Sequence, residues 1–269
     1  VFAGIVAATM TIIGLFLLAY FDHSLQSPEL FRRYVEGIPL LGAVNRVPLR
    51  GLNLLTVFQT SSEVPQHVVF RESLRKIRTG LLKSGQRVIL FVSPKPKEGK
   101  TFTMNALAHS LSANGKRVVL VDTNFKSPRL SEFAGAPSAN SEAINRAIRE
   151  SGLAEVFRMK DPSGDAAGVD VIGNTDLHQS PSELLPPDAF RRFLDLLGEH
   201  FDFIFLEAAA LNDFSDAHEL APFAQTVIAV FNAGSVVGTA DKDSIQFLKD
   251  LDGQLSGAIL TGVDARNAG

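Results

Sequence analysis

The alternation of short apolar runs with helical segments is the feature that most limits how this chain can fold. From residue 87 onward, runs of strand length are followed by stretches whose apolar residues recur at helical spacing. The predicted strands are 87–92, 117–121, 203–206, 226–231 and 258–260, and the later helices are 182–199, 215–223 and 238–251. Such alternation is typical of an α/β fold, a parallel sheet with helices on both faces and ligands at the carboxyl ends of its strands.

A phosphate-binding loop is predicted between the first strand and the helix after it, where residues 93–101 read SPKPKEGKT. Backbone N–H groups at a helix start favour phosphate, the Lys100 ammonium neutralises its charge, and the Thr101 hydroxyl can bind Mg²⁺. The strict pattern has a glycine where Pro94 stands, so a lysine closing an ordinary turn is the alternative interpretation. The predicted nucleotide-binding residues are Pro96, Lys97, Glu98, Gly99, Lys100, Thr101 and Phe102.

Two acidic residues follow predicted strands. Asp122 can hold Mg²⁺ or accept a proton from an attacking hydroxyl, and a turn or helix-capping role is its alternative. Glu207 stands where an aspartate often binds the metal, and its extra methylene displaces the carboxylate. A weakened metal contact and a purely structural role therefore both remain open for Glu207. The predicted metal ligands are Thr101, Asp122 and Glu207.

The first twenty residues carry no charge, whereas all 26 basic and 29 acidic residues lie in the remainder. Twenty helical residues span about 30 Å, the thickness of a bilayer core. One transmembrane helix over residues 1–21 is therefore predicted, with a buried core helix as the alternative. Arginines follow this segment at positions 32, 33, 46 and 50, which predicts that the rest of the chain is cytoplasmic. A start at Val1 rather than Met suggests a fragment of a longer protein.

Residues 22–62 contain scattered prolines and glycines and are predicted to be a juxtamembrane connector with one short helix near 28–36. Residues 63–269 form the predicted P-loop domain, which starts with a helix over 65–82. This helix carries Glu72, Arg75 and Arg78 along one flank. From spacing alone, a solvated charged face is favoured over a contact between subunits.

Composition excludes several classes of function. The net charge of −3 argues against nucleic acid held by bulk charge, so no nucleic-acid partner is expected. The chain has no cysteine, which excludes disulfides, thiol catalysis and cysteine–zinc sites.

Five motifs together resemble the bacterial tyrosine kinase domain of Wzz/Wzc-type polysaccharide co-polymerases. The motifs are GIPLLG (37–42), FRESLRKIRT (70–79), SPKPKEGKT (93–101), VVLVDTNFKSP (118–128) and QSPSELL (179–185). The resemblance implies ATP or ADP with Mg²⁺ as cofactors and a location at the bacterial inner membrane. It also implies a ring-shaped homo-oligomer, in which Glu72, Arg75 and Arg78 make the subunit contacts, and a partnership with polysaccharide polymerase and export machinery. By the same resemblance, the catalytic residues are Lys100, Asp122 and Asn124.

The chain departs from the family pattern at several positions. Asn124 replaces the second aspartate of the D-x-D-x-R motif, Lys126 replaces its arginine, and Glu207 is followed by alanines where the family usually has D-T-P-P. The family's C-terminal tyrosine cluster has no counterpart, because the only tyrosines are Tyr20 and Tyr34. We therefore expect a pseudokinase that binds nucleotide but transfers phosphate poorly.

Two other classes of function remain open from the sequence. The first is a ParA/MinD-type positioning ATPase, which places a signature lysine where Lys95 stands. Pro96 and Lys97, however, occupy the positions of the glycines that should follow. The second is a structural module of a polysaccharide secretion complex that binds no nucleotide.

Overall fold

A computed structural model describes residues 2–20, 23–47, 54–59, 64–134, 138–139, 144, 169–174, 180–184 and 186–264. The strands are β1 (Leu40–Asn45), β2 (Val88–Ser93), β3 (Val118–Asp122), β4 (Ser138–Ala139), β5 (Asp170–Asn174), β6 (Phe203–Ala210), β7 (Thr226–Asn232) and β8 (Leu255–Val263). The α-helices are α1 (Phe2–Tyr20), α2 (Pro28–Tyr34), α3 (Leu54–Gln59), α4 (Pro65–Ser84), α5 (Lys100–Ser112), α6 (Arg129–Ala134), α7 (Pro181–Leu184), α8 (Pro187–His200), α9 (Asp216–Leu220) and α10 (Lys242–Asp250).

Within these described residues, eight strands form one parallel sheet in the order β1-β8-β7-β2-β6-β3-β5-β4. Successive side chains of β2 enter opposite faces, with Leu90 in one apolar core and Phe91 in the other. Helices α2, α8 and α10 bury apolar residues in the first core, and α4 and α5 bury theirs in the second. The predicted α/β class and parallel sheet are confirmed.

The segment before α4 is part of the folded structure. Strand β1 pairs with β8, and the backbone N–H of Leu25 donates to the carbonyl of Ser235. Phe31 is fully buried and packs edge-on against Phe231 of β7. No strand is predicted over 40–45 from the sequence, because LLGAVN on a half-exposed sheet edge has neither clear alternation nor a continuous buried run. Residues 22, 48–53 and 60–62 of the predicted connector lie outside the described residues.

Two predicted elements have different bounds in the structure. Strand β6 continues to Ala210, so Glu207 lies inside a strand rather than after one, in register with Asp122 of β3. The helix predicted over 182–199 is divided into α7 and α8, because Pro186 and Pro187 lack the N–H that a continuous helix requires. Strand β5 is also present, although no strand is predicted there from the sequence.

Helix α1 forms over 19 of the residues predicted to span a membrane. In the part of the chain that the structure describes, however, no helix has the combined length and apolar character of a membrane span. The predicted transmembrane helix over residues 1–21 is therefore not supported.

Candidate functional site

The loop of residues 94–99 joins β2 to α5 and has an unusual backbone. Lys97 and Gly99 adopt left-handed conformations, with φ of 65° and 85°. A Cβ added at Gly99 would lie 3.0 Å from the hydroxyl oxygen of Thr261, so a side chain there would displace β8 side-chain atoms. Helix α5 begins immediately after this loop. The free N–H groups of its first turn make the loop a suitable place for an anion.

Lys100 and Thr101 both contact Glu207. The Lys100 ammonium donates to the carbonyl oxygen of Ala208 and lies 3.7 Å from Glu207 Oε1. The Thr101 hydroxyl donates to the same carboxylate oxygen at 2.5 Å. Burial lowers the pKa of Lys100, and the nearby carboxylates of Glu207 and Asp122 oppose that shift.

The second carboxylate oxygen of Glu207 is the observation that points to a cation. Glu207 is 1% exposed, and its Oε2 has no hydrogen-bond partner among the residues that the structure describes. A buried carboxylate oxygen without a partner is unfavourable unless a cation or a proton satisfies it. Carboxylate and hydroxyl oxygens are ligands that Mg²⁺ accepts. Glu207 and Thr101 are therefore compatible in their chemistry with a magnesium ion, and their role as metal ligands stays a prediction.

Asp122 lies beside this cluster but serves the turn that follows β3. Its Oδ2 accepts hydrogen bonds from the backbone N–H and the hydroxyl of Ser131, at 3.0 and 2.6 Å. Its Oδ1 accepts one from the backbone N–H of Asn124 at 3.2 Å. Burial, reinforced by the Glu207 charge, raises the pKa of Asp122 to about 6. Its role as a metal ligand or base stays a prediction.

Asn124 shapes the chain after β3. Its side-chain oxygen accepts hydrogen bonds from the backbone N–H groups of Lys126 and Ser127, at 3.3 and 3.0 Å. This is a turn closed by an asparagine side chain, a local role for which the residue type is well suited. Its predicted catalytic role stays a prediction.

A cavity of about 690 Å³ lies over the loop and the carboxyl ends of β2 and β6. All seven predicted nucleotide-binding residues line it: Pro96, Lys97, Glu98, Gly99, Lys100, Thr101 and Phe102. Asn124 and Glu207 also line it, whereas Asp122 is not among its lining residues. This volume falls within the range of small-molecule sites. The structure thus brings the loop and Glu207 together around one space, with Asp122 behind it.

Four lining residues with charged or aromatic side chains are not predicted as site residues from the sequence: Lys126, Arg129, Asp213 and Phe214. Lys126 and Arg129 follow Asn124 closely, and two cations just after a strand that ends at the site would have been a usable signal. Asp213 and Phe214 come from the connection between β6 and α9. Their position could not be read locally, because it depends on where β6 ends.

The predicted subunit-contact residues of α4 divide into two groups. Glu72 and Arg75 form an exposed ion pair at 3.2 Å. Arg78 instead points toward α5, where it donates to the carbonyl and the hydroxyl of Ser110 at 2.8 and 3.2 Å. Arg78 therefore joins two helices of the same chain, and the contact between subunits stays a prediction.

The loop also contains Lys95, the residue relevant to the positioning-ATPase alternative. Its ammonium lies 2.8 Å from the Asp241 carboxylate and donates to the carbonyl of Val236 at 2.7 Å. Both contacts are within this chain, so the arrangement of Lys95 gives that alternative no specific support.

The chain has sequence relatives among bacterial tyrosine-protein kinases. The chain is 25% identical over 205 residues to tyrosine-protein kinase Etk of Escherichia coli K12, covering 72% of the chain and 27% of the relative. It is also 25% identical over 204 residues to succinoglycan biosynthesis transport protein ExoP of Rhizobium meliloti, covering 74% of the chain and 26% of the relative. Its homologues are bacterial tyrosine-protein kinases. The resemblance inferred from the motifs is confirmed, although no protein-family model matches the chain.

The chain spans only about a quarter of the length of these kinase relatives. The solved kinase domain of Escherichia coli Etk superposes with a TM-score of 0.65 at 21% identity, covering 86% of the chain and 92% of that domain. That likeness shows a shared fold.

Proposed function

We propose that this chain binds ATP or ADP with Mg²⁺ and acts as a tyrosine-kinase-like regulator of capsule or exopolysaccharide polymerisation and export, with weakened phosphotransfer. The observation that carries the proposal is the convergence of Lys100, Thr101 and the unpartnered Glu207 oxygen on one cavity. The tyrosine-kinase relatives favour a nucleotide as the ligand. The succinoglycan transport relative favours a role in polysaccharide export.

The residues of the cavity have separate roles in this proposal. Bound Mg·ATP supplies the transferable phosphoryl group. The N-terminal N–H groups of α5 and the Lys100 ammonium bind and neutralise the phosphates, while Thr101 and Glu207 hold the metal ion. Phosphoryl transfer depends mainly on such positioning and charge neutralisation.

The weakened transfer rests on the carboxylate that should act as base. Both oxygens of Asp122 accept hydrogen bonds from Ser131 and Asn124, and Asp122 does not line the cavity, so its carboxylate serves the turn rather than the ligand space. Asn124 provides an oxygen at the cavity but no negative charge. The chain therefore retains groups that can bind phosphate, whereas Asp122 and Asn124 are poorly suited to act as a base toward a hydroxyl.

Two further parts of the proposal concern assembly. The exposed Glu72 and Arg75 are accessible to a neighbouring copy, which supports a homo-oligomer, a ring by the family resemblance. Helix α1 exposes apolar side chains, among them Ile5, Met10 and Phe16 at 60–69%. Such a surface favours association with a lipid bilayer or with an apolar partner in it, consistent with a place at the inner membrane.

Nucleotide binding is tested by thermal unfolding of the full chain with Mg·ADP. At a ligand concentration of 100 Kd, binding stabilises the folded state by about 2.7 kcal/mol, which is a rise in Tm of about 5–10 °C. Lys100→Met is expected to lose most of this rise relative to its own ligand-free Tm. Lys83→Met, at an exposed position of α4, is the matched control and is expected to keep it. No rise with ADP or ATP would favour the structural-module alternative.

Phosphotransfer is tested by Mg²⁺-dependent autophosphorylation with labelled ATP. We expect weak labelling that Lys100→Met removes. Asn124→Asp keeps the side-chain oxygen that closes the turn and adds a charge at the cavity, so it is expected to raise the rate by at least about tenfold. Stoichiometric labelling of the unmodified chain, abolished by Lys100→Met, would contradict the weakened transfer but not the nucleotide binding.

A further inference from the structure

Glu98 is a carboxylate placed inside a loop that is suited to bind anions. It is 3% exposed, lines the cavity and directly precedes Gly99 and the start of α5. A negative charge at such a place repels phosphate, so Glu98 is poorly suited to contact the ligand directly. Its hydrogen bonds are made with other parts of the chain.

Three hydrogen bonds connect Glu98 to the ends of two strands. Its Oε1 accepts from the Ser235 hydroxyl at 2.7 Å, and its Oε2 accepts from the backbone N–H of Asn232, the last residue of β7. Its carbonyl oxygen accepts from the Thr261 hydroxyl of β8 at 2.8 Å. The side chain thus fixes the loop to residues 232–235, and the backbone fixes it to the next strand.

The loop needs such anchors because its conformation is unfavourable in isolation. It includes Lys97 at a positive φ, which a residue with a side chain rarely adopts. A strained backbone persists only where the surrounding structure holds it in place. The ion pair of Lys95 with Asp241 is a second link from the loop to the same side of the sheet.

We propose that Glu98 is a positioning residue for the nucleotide phosphates: its carboxylate clamps the loop of residues 94–99 to residues 232–235 and holds the loop backbone in its binding shape before any ligand arrives. The identity of the ligand rests on the proposed function. The clamp itself is a property of the ligand-free chain.

The clamp depends on hydrogen bonds rather than on charge, and two substitutions separate these effects. In Glu98→Gln the amide oxygen can still accept from the Asn232 N–H, and the amide NH₂ can donate to the Ser235 hydroxyl. Glu98→Ala loses both contacts. Ser235→Ala removes one of them without changing the loop sequence.

The experiment compares these three variants and the control Glu199→Ala, at an exposed position of α8, in the full chain. Two quantities are measured: hydrogen exchange, without nucleotide, of the backbone amides of Asn232 and Thr103, which donate to Glu98 Oε2 and to the Gly99 carbonyl, and the Kd for Mg·ADP. Glu98→Ala is expected to speed the exchange and weaken Mg·ADP binding by about tenfold each, with β2 protection unchanged. Glu98→Gln is expected to keep the exchange rate of the unmodified chain, Ser235→Ala to be intermediate, and the control to change neither quantity.

Two results would overturn the clamp. One is exchange in Glu98→Ala as slow as in the unmodified chain, and the other is exchange in Glu98→Gln as fast as in Glu98→Ala. If the unmodified chain binds no Mg·ADP but Glu98→Ala still loosens the loop, the proposed function fails and the clamp stands. If Glu98→Ala does not fold, the other two variants decide. Faster exchange in Ser235→Ala with Glu98→Gln unchanged supports the clamp, and unchanged exchange in both overturns it.

Discussion

Replacing Phe31 by alanine is expected to lower the free energy of unfolding by about 3–5 kcal/mol. The ring is 0% exposed, and it packs at a centroid distance of 5.2 Å and an angle of 75° on Phe231. Its helix is held in place at its start, where the Ser27 hydroxyl accepts from the Leu30 N–H. Removing the ring loses the transfer free energy of an aromatic group and leaves a cavity beside β7. Urea unfolding followed by far-UV circular dichroism measures the change.

Arg32→Ala is the control for this substitution, since Arg32 lies next to Phe31 on α2 and is exposed. Its expected effect is within about 0.5 kcal/mol. If Phe31→Ala were equally mild, the segment before α4 would behave as a connector, and the packing described for α2 would be wrong.

Replacing Asp122 by asparagine is expected to remove a pH-dependent loss of stability. The folded-state pKa of Asp122 is about 6, against 3.8 for an unperturbed carboxyl group. Between these values the folded chain holds a proton that the unfolded chain has released, so stability falls as pH rises and levels off above pH 6. The difference in pKa corresponds to about 3 kcal/mol over the whole titration, and the unmodified chain loses this stability as pH rises whereas the variant does not.

Denaturant unfolding at pH 4, 5, 6 and 7 measures this effect. The stability of Asp122→Asn relative to the unmodified chain is expected to increase by about 2.4 kcal/mol from pH 4 to pH 7. Any constant offset reports the altered hydrogen bonds with Ser131 and Asn124. Ser131→Ala is the matched variant: it removes a donor that stabilises the carboxylate, so the loss of stability should extend above pH 6. A pH-independent difference for Asp122→Asn would contradict the raised pKa.

Sequence reasoning predicts the central part of this fold, because β2, β3, β6 and β7 are buried and apolar. Their buried runs are short and uninterrupted, as in Val118–Asp122, and they give a strong local signal. Strand β1 at one edge of the sheet and β5, next to the short strand at the other edge, are partly exposed, and each contains a glycine. Their formation depends on pairing with distant segments that no local pattern reveals.

The same limit applies to the site. Residues 96–102 are recognisable because the sequence Gly99-Lys100-Thr101 stands between a predicted strand and a predicted helix. In the structure they do line the cavity. The direction of a side chain depends on tertiary partners. Asp122 accepts a hydrogen bond from Ser131, and Arg78 donates one to Ser110. Both partners belong to other elements of the fold. The contacts of Glu98 with Asn232 and Ser235 cross more than a hundred residues and could not be inferred from the loop itself.

The position of β1 has a practical consequence for anyone who shortens this protein. A chain cut at residue 63, where the domain would be placed from sequence alone, loses the strand that pairs with β8. The edge strand of the sheet is then β8, which has nine residues and is mostly buried, instead of β1, which has six residues and is half-exposed. Unpaired backbone groups along such an apolar edge are a template for pairing with other chains. Precipitation of the shortened protein would therefore reflect where it was cut rather than a weakness of the domain.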